Sequence, residues 1–269
     1  MAVLFGKDLT GALGPLVFRG GKGGKKIVQT KPRQYTLTEG TIGSSKLFGY
    51  GSSVAAIIRR QLQSTFGQNY DSGMVNRFST SIRKVLFHCY NSIEESFTFQ
   101  EDSFSRLIEF EFNVKSPLIN YFWVKPLMTI TENVLKITIP EFNIPSGLTF
   151  PARTNFCKMS ITICQVNINQ GIIKYPLYFT FDVDKDQETY PEREITINVE
   201  NQCLCIAAIG LYYTEKKDDV SLVYNSKLFG PANVINALIT PGIYVAPPTP
   251  PISHVSHSKE WSFDPKLKF

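Results

Sequence analysis

Residues 193–214, Arg-Glu-Ile-Thr-Ile-Asn-Val-Glu-Asn-Gln-Cys-Leu-Cys-Ile-Ala-Ala-Ile-Gly-Leu-Tyr-Tyr-Thr, decide the fold. Ile195, Ile197 and Val199 recur every second residue, the period at which a strand returns its side chains to one face. Asn201 interrupts that run, and a second apolar run begins at Cys203. Working outward, the same period gives candidate strands at 107–114, 121–130, 134–139, 157–168 and 172–182, which join 193–200 and 203–214. Turn-forming breaks separate them at Ser116-Pro117, Glu132-Asn133, Ile144-Pro145-Ser146-Gly147, Asn169-Gln170-Gly171 and Asp184-Lys185-Asp186. Seven short strands without an intervening helix predict an immunoglobulin-like antiparallel β-sandwich over 104–240. The Cys–Trp–Cys signature of antibody domains is absent, so that likeness is architectural only.

Upstream the period changes. Leu47, Val54, Ile58 and Leu62, with Ile57 and Phe66 widening the stripe, predict a helix over 40–66 that stops at Gly67. A second helix is expected from Asp71 as N-cap, with Val75, Phe78, Ile82, Val85, Leu86 and Cys89 on one side. The two make a helical hairpin over 35–103, whose polar faces carry Arg59, Arg60, Arg77, Arg83 and Lys84. Residues 1–34 read as an arm. Leu16–Arg19 and Lys26–Gln29 flank Gly20-Gly21-Lys22-Gly23-Gly24 as a β-hairpin with a cationic tip. A lone hairpin is marginal in water and needs a surface to lie on. The last segment, 241–269, is an extended tail holding Ala246-Pro-Pro-Thr-Pro-Pro-Ile252, then Trp261, Phe263 and Phe269. The whole is an α+β chain, mainly β.

Charge is split along this order. Residues 1–90 hold thirteen lysines and arginines against three acids, a net +10, while the remaining 179 residues net −5. Such a molecule offers its basic end to an anionic partner or to the acidic body of another copy. No stretch has the length and hydropathy of a membrane span. The N-terminus lacks the order of a secretory signal, so a cytoplasmic or particle-associated location is expected. The five cysteines suit a reducing compartment. Cys203 and Cys205 share a strand face and point alike, and Cys157 and Cys164 fall on opposite faces.

Motifs for chemistry fail on spacing. In the run Gly20–Lys26 a strand, Ile27-Val28, follows Gly24-Lys25-Lys26 where a phosphate-binding loop needs Ser/Thr and a helix. Asp182-Val-Asp184-Lys-Asp186-Gln-Glu188 starts like a calcium loop. However, Gln187 stands where glycine is needed and Arg193 where the bidentate acid belongs, which makes it a solvated acidic turn. His88, His254 and His257 do not converge, and no nucleophile–base–acid order can be drawn. No catalytic residue, cofactor, metal or small-molecule substrate is expected, and the chain reads as a non-enzyme.

One stretch resembles a known group. Gly11-Ala-Leu-Gly14-Pro-Leu-Val17-Phe18-Arg19, the basic segment Gly24–Pro32, Ser44-Ser45-Lys46-Leu47-Phe48-Gly49 and Ser52–Arg59 are similar to the opening of the domain-of-unknown-function class DUF6266, common in Bacteroidetes bacteria. The likeness covers about residues 10–60, and the glycine–lysine turn is enlarged here. The class has no established activity, so the resemblance carries over no catalytic or binding residue. It implies a bacterial, non-enzymatic protein.

The leading expectation is a self-assembling structural subunit of a filament, tube or phage-like particle, a homo-oligomer. Its arm (Val17, Phe18, Arg19, Lys22, Lys25, Lys26, Ile27, Val28) and its tail (Pro247, Pro248, Pro250, Pro251, Trp261, Phe263, Phe269) would contact neighbouring copies. The second reading is a nucleic-acid-associated protein using the basic N-terminal third, with Phe18, Tyr35, Phe48 and Tyr50 as rings. The third is a surface adhesion or glycan-binding module presenting Tyr212, Tyr213 and Trp261, and burial of those rings argues against it.

Overall fold

A computed structural model describes residues 3–5, 8–31, 36–217, 220–245, 261–264 and 267. The chain divides into two compact units, Met1–Ser44 and Ser45–Phe269. The first unit is a four-stranded antiparallel meander: β1 (Val3–Phe5), β2 (Asp8–Leu13), β3 (Leu16–Gly20) and β4 (Lys26–Thr30). The expected hairpin is the β3–β4 half of it. The first two strands were hidden in a stretch too short in apolar runs to signal them.

Three helices follow. Helix α1 (Glu39–Gln61) begins in the first unit and continues into the second, α2 (Gln63–Phe66) follows a break at Leu62, and α3 (Met74–Cys89) runs back. Gly67 does end the first helical stretch, its N–H donating to the Gln63 carbonyl at 2.7 Å. The cap of α3 is Gly73 rather than Asp71. Asp71 acts one step earlier. One carboxylate oxygen accepts from the Gly73 N–H at 2.7 Å and the other from Arg77 at 2.7 Å and from the Val114 N–H at 3.2 Å. Met74 takes the buried place expected for Val75, which is exposed.

The rest is mainly β and antiparallel. A small ladder, β5 (Tyr90–Asn91) with β6 (Ser96–Phe97), follows α3. Then come β7 (Leu127–Thr131), β8 (Val134–Ile139), β9 (Phe142–Asn143), β10 (Phe156–Asn167), β11 (Ile172–Lys174) and β12 (Leu177–Asp184). After them stand β13 (Thr189–Tyr190), β14 (Arg193–Asn198), β15 (Leu204–Lys217), β16 (Val220–Val223), β17 (Ala232–Ile239) and β18 (Trp261–Phe263). Strands β14-β8-β7 form a three-stranded sheet, and β9 pairs with β13. The large sheet has seven strands, ordered β16-β15-β10-β11-β18, with β12 also on β10 and β17 also on β15.

The central pair, β10 with β15, is covered on both faces. Cys164, Val166, Leu204, Ile206 and Ala208 pack with Val54, Ile58, Phe78, Ile82 and Leu86 of the helices. Cys157, Met159, Ile161, Ile163, Cys205, Ala207 and Ile209 pack with Leu135, Ile137 and Ile195 of the small sheet. The helices therefore form one wall of the core, and the small sheet forms the other. This double burial explains why Leu204–Leu211 reads as a nearly unbroken apolar run: both parities must be apolar when neither face meets water. Cys157 and Cys164 do fall in opposite cores. All five cysteines are free, and burial pushes the Cys164 and Cys203 thiols up to about 12.

Three expected strands change. Residues 107–114 are irregular: a 3-10 turn at Ser105–Leu107 and a left-handed Glu109 (φ 61°) break them, although Phe112 still bonds to β17 through Ala232. In 121–130 the strand begins only at Leu127, after Pro126, and Phe122 upstream makes an isolated antiparallel bridge with Leu148. In 172–182 Pro176 splits one strand into β11 and β12. Strands β16 and β17, and the short β5, β6, β9, β13 and β18, lie beyond those read from the pattern.

Candidate functional site

In the arm the β3–β4 register pairs Leu16 with Thr30, Phe18 with Val28 and Arg19 with Ile27, while β2–β3 pairs Leu13 with Leu16. Directly paired residues share a face. Leu13, Leu16, Phe18 and Val28 therefore line one side, and Val17, Arg19 and Ile27 the other. Leu13 is 58 % and Val28 53 % exposed, Leu16, Arg19 and Ile27 are exposed as well, and Val17 and Phe18 are half-buried. None of the described residues between 3 and 44 is buried. The hairpin tip is a 3-10 turn over Lys22–Gly24, closed by the Gly21 N–H donating to the Lys25 carbonyl at 2.6 Å. Gly23 and Gly24, both at φ 76°, take the left-handed conformation that side chains resist. Lys25 and Lys26 flank this turn, exposed, on a strand rather than at a helix N-terminus. The turn thus lacks the aligned N–H groups that hold phosphate in a nucleotide loop.

The tail lies partly within its own chain. Strand β18 pairs with β11, Ile172 opposite Phe263 and Lys174 opposite Trp261. Leu267 is buried in the helix-side core, and its carbonyl and that of Ile168 accept the Tyr50 hydroxyl at 3.0 and 3.1 Å. Trp261 and Phe263 thus belong to the chain's own sheet, where the sequence had assigned them to neighbouring copies. Pro247, Pro248, Pro250, Pro251 and Phe269, like Tyr35, His254 and His257, lie outside the described residues.

A third surface is basic and aromatic. Phe48 of α1 and Thr80, Arg83, Lys84, Phe87 and His88 of α3 line an open groove of about 510 Å³. Lys84 and His88 carry it on toward Ser103, Ser105 and Arg106. The Arg83 guanidinium stands 4.1 Å from the Phe48 ring centre. Of the rings named from sequence, Phe48 lines this groove, while Tyr50 is buried. The helical pattern had placed His88 at the core margin, yet it is exposed beside Phe87.

The chain matches no family model, no curated protein and no solved structure. Its own geometry must therefore carry the functional reading. Tyr213 is fully buried with its hydroxyl donating to the Thr149 carbonyl at 2.8 Å, and Tyr212 donates to the Ser64 carbonyl at 3.1 Å. Neither ring is free to form a sugar platform. Asp184 to Glu188 form the exposed turn between β12 and β13. Among the described residues no group of His, Cys, Asp or Glu is placed to hold a metal, and no helix is long and apolar enough to cross a membrane.

One carboxylate is perturbed. Burial pushes Glu111 from its ordinary 4.5 up to about 7, against the Leu118 N–H, which donates to both its oxygens at 3.1 Å, and the Asn233 side chain. Nearby Glu109 adds to the rise and Arg77 opposes it. The folded chain then holds a proton that the unfolded chain releases between about pH 4.5 and 7. Its contribution to stability is complete below 4.5 and lost as pH rises through 7. Urea unfolding at several pH values should show this slope in the parent, and Glu111→Gln should flatten it.

Proposed function

We propose that this protein is a non-enzymatic structural subunit that assembles with copies of itself into a filament, tube or phage-like particle. Its N-terminal arm lies on the neighbour, and its packed sheets serve as an immunoglobulin-like scaffold. The observation that carries this reading is the arm itself. A four-stranded sheet with exposed leucines and valines has no buried side chain among its described residues, so its apolar surface remains to be covered. Charge points the same way. Residues 1–44 carry seven basic and two acidic side chains, a net +5, equal to that of the whole chain, so residues 45–269 are neutral overall and rich in acids. A basic arm on one copy and acidic turns on the next make a head-to-tail contact, which closes into rings or continues as filaments. A bacterial source, as the DUF6266-like opening implies, is part of this proposal.

Deletion of residues 1–34 tests it. Both cores lie wholly within residues 47–267, so the truncated chain is expected to stay folded. Light scattering should give large regular particles for the full chain, smaller ones at high salt, and the monomer mass for the truncation. A truncated chain that still polymerises, or a full chain that is monomeric at every salt, refutes the proposal. The groove of Phe48, Arg83, Lys84, Phe87 and His88 supports the second reading, binding of nucleic acid, which would weaken steeply with salt.

A further inference from the structure

Among the described residues, strand β16 is an uncovered edge of the large sheet. Among the described strands it bonds to β15, with Val220 opposite Lys217 and Val223 opposite Thr214. All four residues are exposed, Val220 and Leu222 to 59 % and Val223 to 69 %. Edge strands normally carry charge, proline or a bulge that discourages further pairing. Val220-Ser-Leu-Val223 has no charge and no proline.

The backbone of this edge can be read from its ladder. The Tyr224 N–H donates inward to the Tyr213 carbonyl, so alternation turns the N–H and C=O of Val223 and Ser221 outward. The far side of the same ribbon is already satisfied. The Asn155 amide accepts from the Lys216 N–H and donates to the Lys216 carbonyl, both at 2.8 Å. The ribbon is held on one side and open on the other.

The arm has a matching edge. In β4 the Lys31 N–H donates to Pro15 and the Gly21 N–H to Lys25, which by alternation turns the N–H and C=O of Val28 and Thr30 outward. The lengths agree, five residues against four. Lysines stand at both ends of β4 (Lys25, then Lys31), and Asp218-Asp219 leads into β16 in the sequence. In sequence, then, the donor strand is flanked by lysines and the acceptor strand by aspartates, a charge complement that favours their pairing.

We propose that the outer edge of β16 receives strand β4 of a second copy, which adds a strand to the seven-stranded sheet. This rests on the reading of the arm as the assembly element and names the surface it reaches. Main-chain bonds supply the contact, and Val28 and Ile27 extend the apolar surface of Leu222 and Val223.

The test uses full-length chains. Ser221→Pro removes one outward N–H from β16 and leaves the β15 ladder intact, and Val28→Pro does the same on β4. Leu222→Lys is a second β16 variant that leaves the backbone untouched, and unfolding midpoints check that all three are folded. Each variant alone is expected to stay monomeric by light scattering. An equimolar mixture of Ser221→Pro and Val28→Pro should double the mass and stop there, since one sound arm and one sound edge remain. If both β16 variants assemble like the parent while the arm deletion does not, β16 is not the acceptor and the arm reading survives. If Val28→Pro assembles while the β16 variants do not, another strand occupies the edge and the β4 assignment falls. Parent chains that never assemble overturn both readings.

Discussion

Replacing Gly210 with alanine should cost about 3 kcal/mol or more of stability, out of proportion to one methyl group. Gly210 faces the helices from the middle of β15, and a Cβ there would stand 2.0 Å from the Thr65 carbonyl oxygen and 3.0 Å from its carbon. The obstacle is α2 backbone, which cannot swing aside as a side chain can. Neighbouring bonds make retreat harder. The Ser64 hydroxyl pairs with that of Thr162 at 2.9 Å, and the Ser64 carbonyl accepts the Tyr212 hydroxyl. Urea unfolding should show a lower midpoint with an unchanged slope, or an expanded native state if α2 is expelled. Gly49→Ala is the contrast. It lies exposed in α1 with open space around its Cβ position, so alanine there should add about 0.5–1 kcal/mol by restricting the unfolded chain. Equal effects at the two glycines would mean that α2 does not pack on β15 as described.

Phe112→Ala is the second large loss, at about 3–5 kcal/mol. The ring is fully buried, stacked on Phe66 with centres 4.4 Å apart, and lies 5.6 Å from Phe110 and 6.2 Å from Phe78. It links α2, α3 and the irregular segment beside β17, so its removal loosens three pieces at once. The Phe112 N–H bond to the Ala232 carbonyl holds that segment in place, so the cavity is not expected to collapse fully. Phe87→Ala, on an exposed ring of the same helix pair, should change stability by less than about 0.5 kcal/mol. Comparable midpoints for the two variants would contradict the placement of Phe112.

Much of this fold was legible, and the misses have particular causes. Strand β8 was read to the residue, and β10, β14 and β15 to within a few, because their apolar positions repeat without interruption. Strand β17 was not seen. Its register shifts where β15 passes from Ala207 to Ala208, so Ala232 and Val234 face the helices, and after the shift Ala237 and Ile239 do so with the opposite parity. A bulge of one residue erases a period of two. The reverse error arose at 107–114, where Phe110 and Phe112 alternate with Glu109 and Glu111 as in a strand. The alternation there serves a loop that drops two rings among the helices. In the arm, β3 and β4 were legible from their flanking glycines, while the uncharged edge of β16 was not, because exposure on both faces leaves no period to read.

The pairing of β11 with β18 has a consequence for synthesis. These strands are about ninety residues apart, and loop-closure entropy opposes their meeting. A chain growing from its N-terminus completes β10, β11 and β15 long before Trp261 exists. Until then the outer side of β11 is an unfinished boundary, and the Tyr50 hydroxyl lacks the Leu267 carbonyl that later accepts its hydrogen bond. Self-association during that interval is thus a hazard distinct from orderly growth, and the arrival of Trp261–Phe263 and Leu267 ends it.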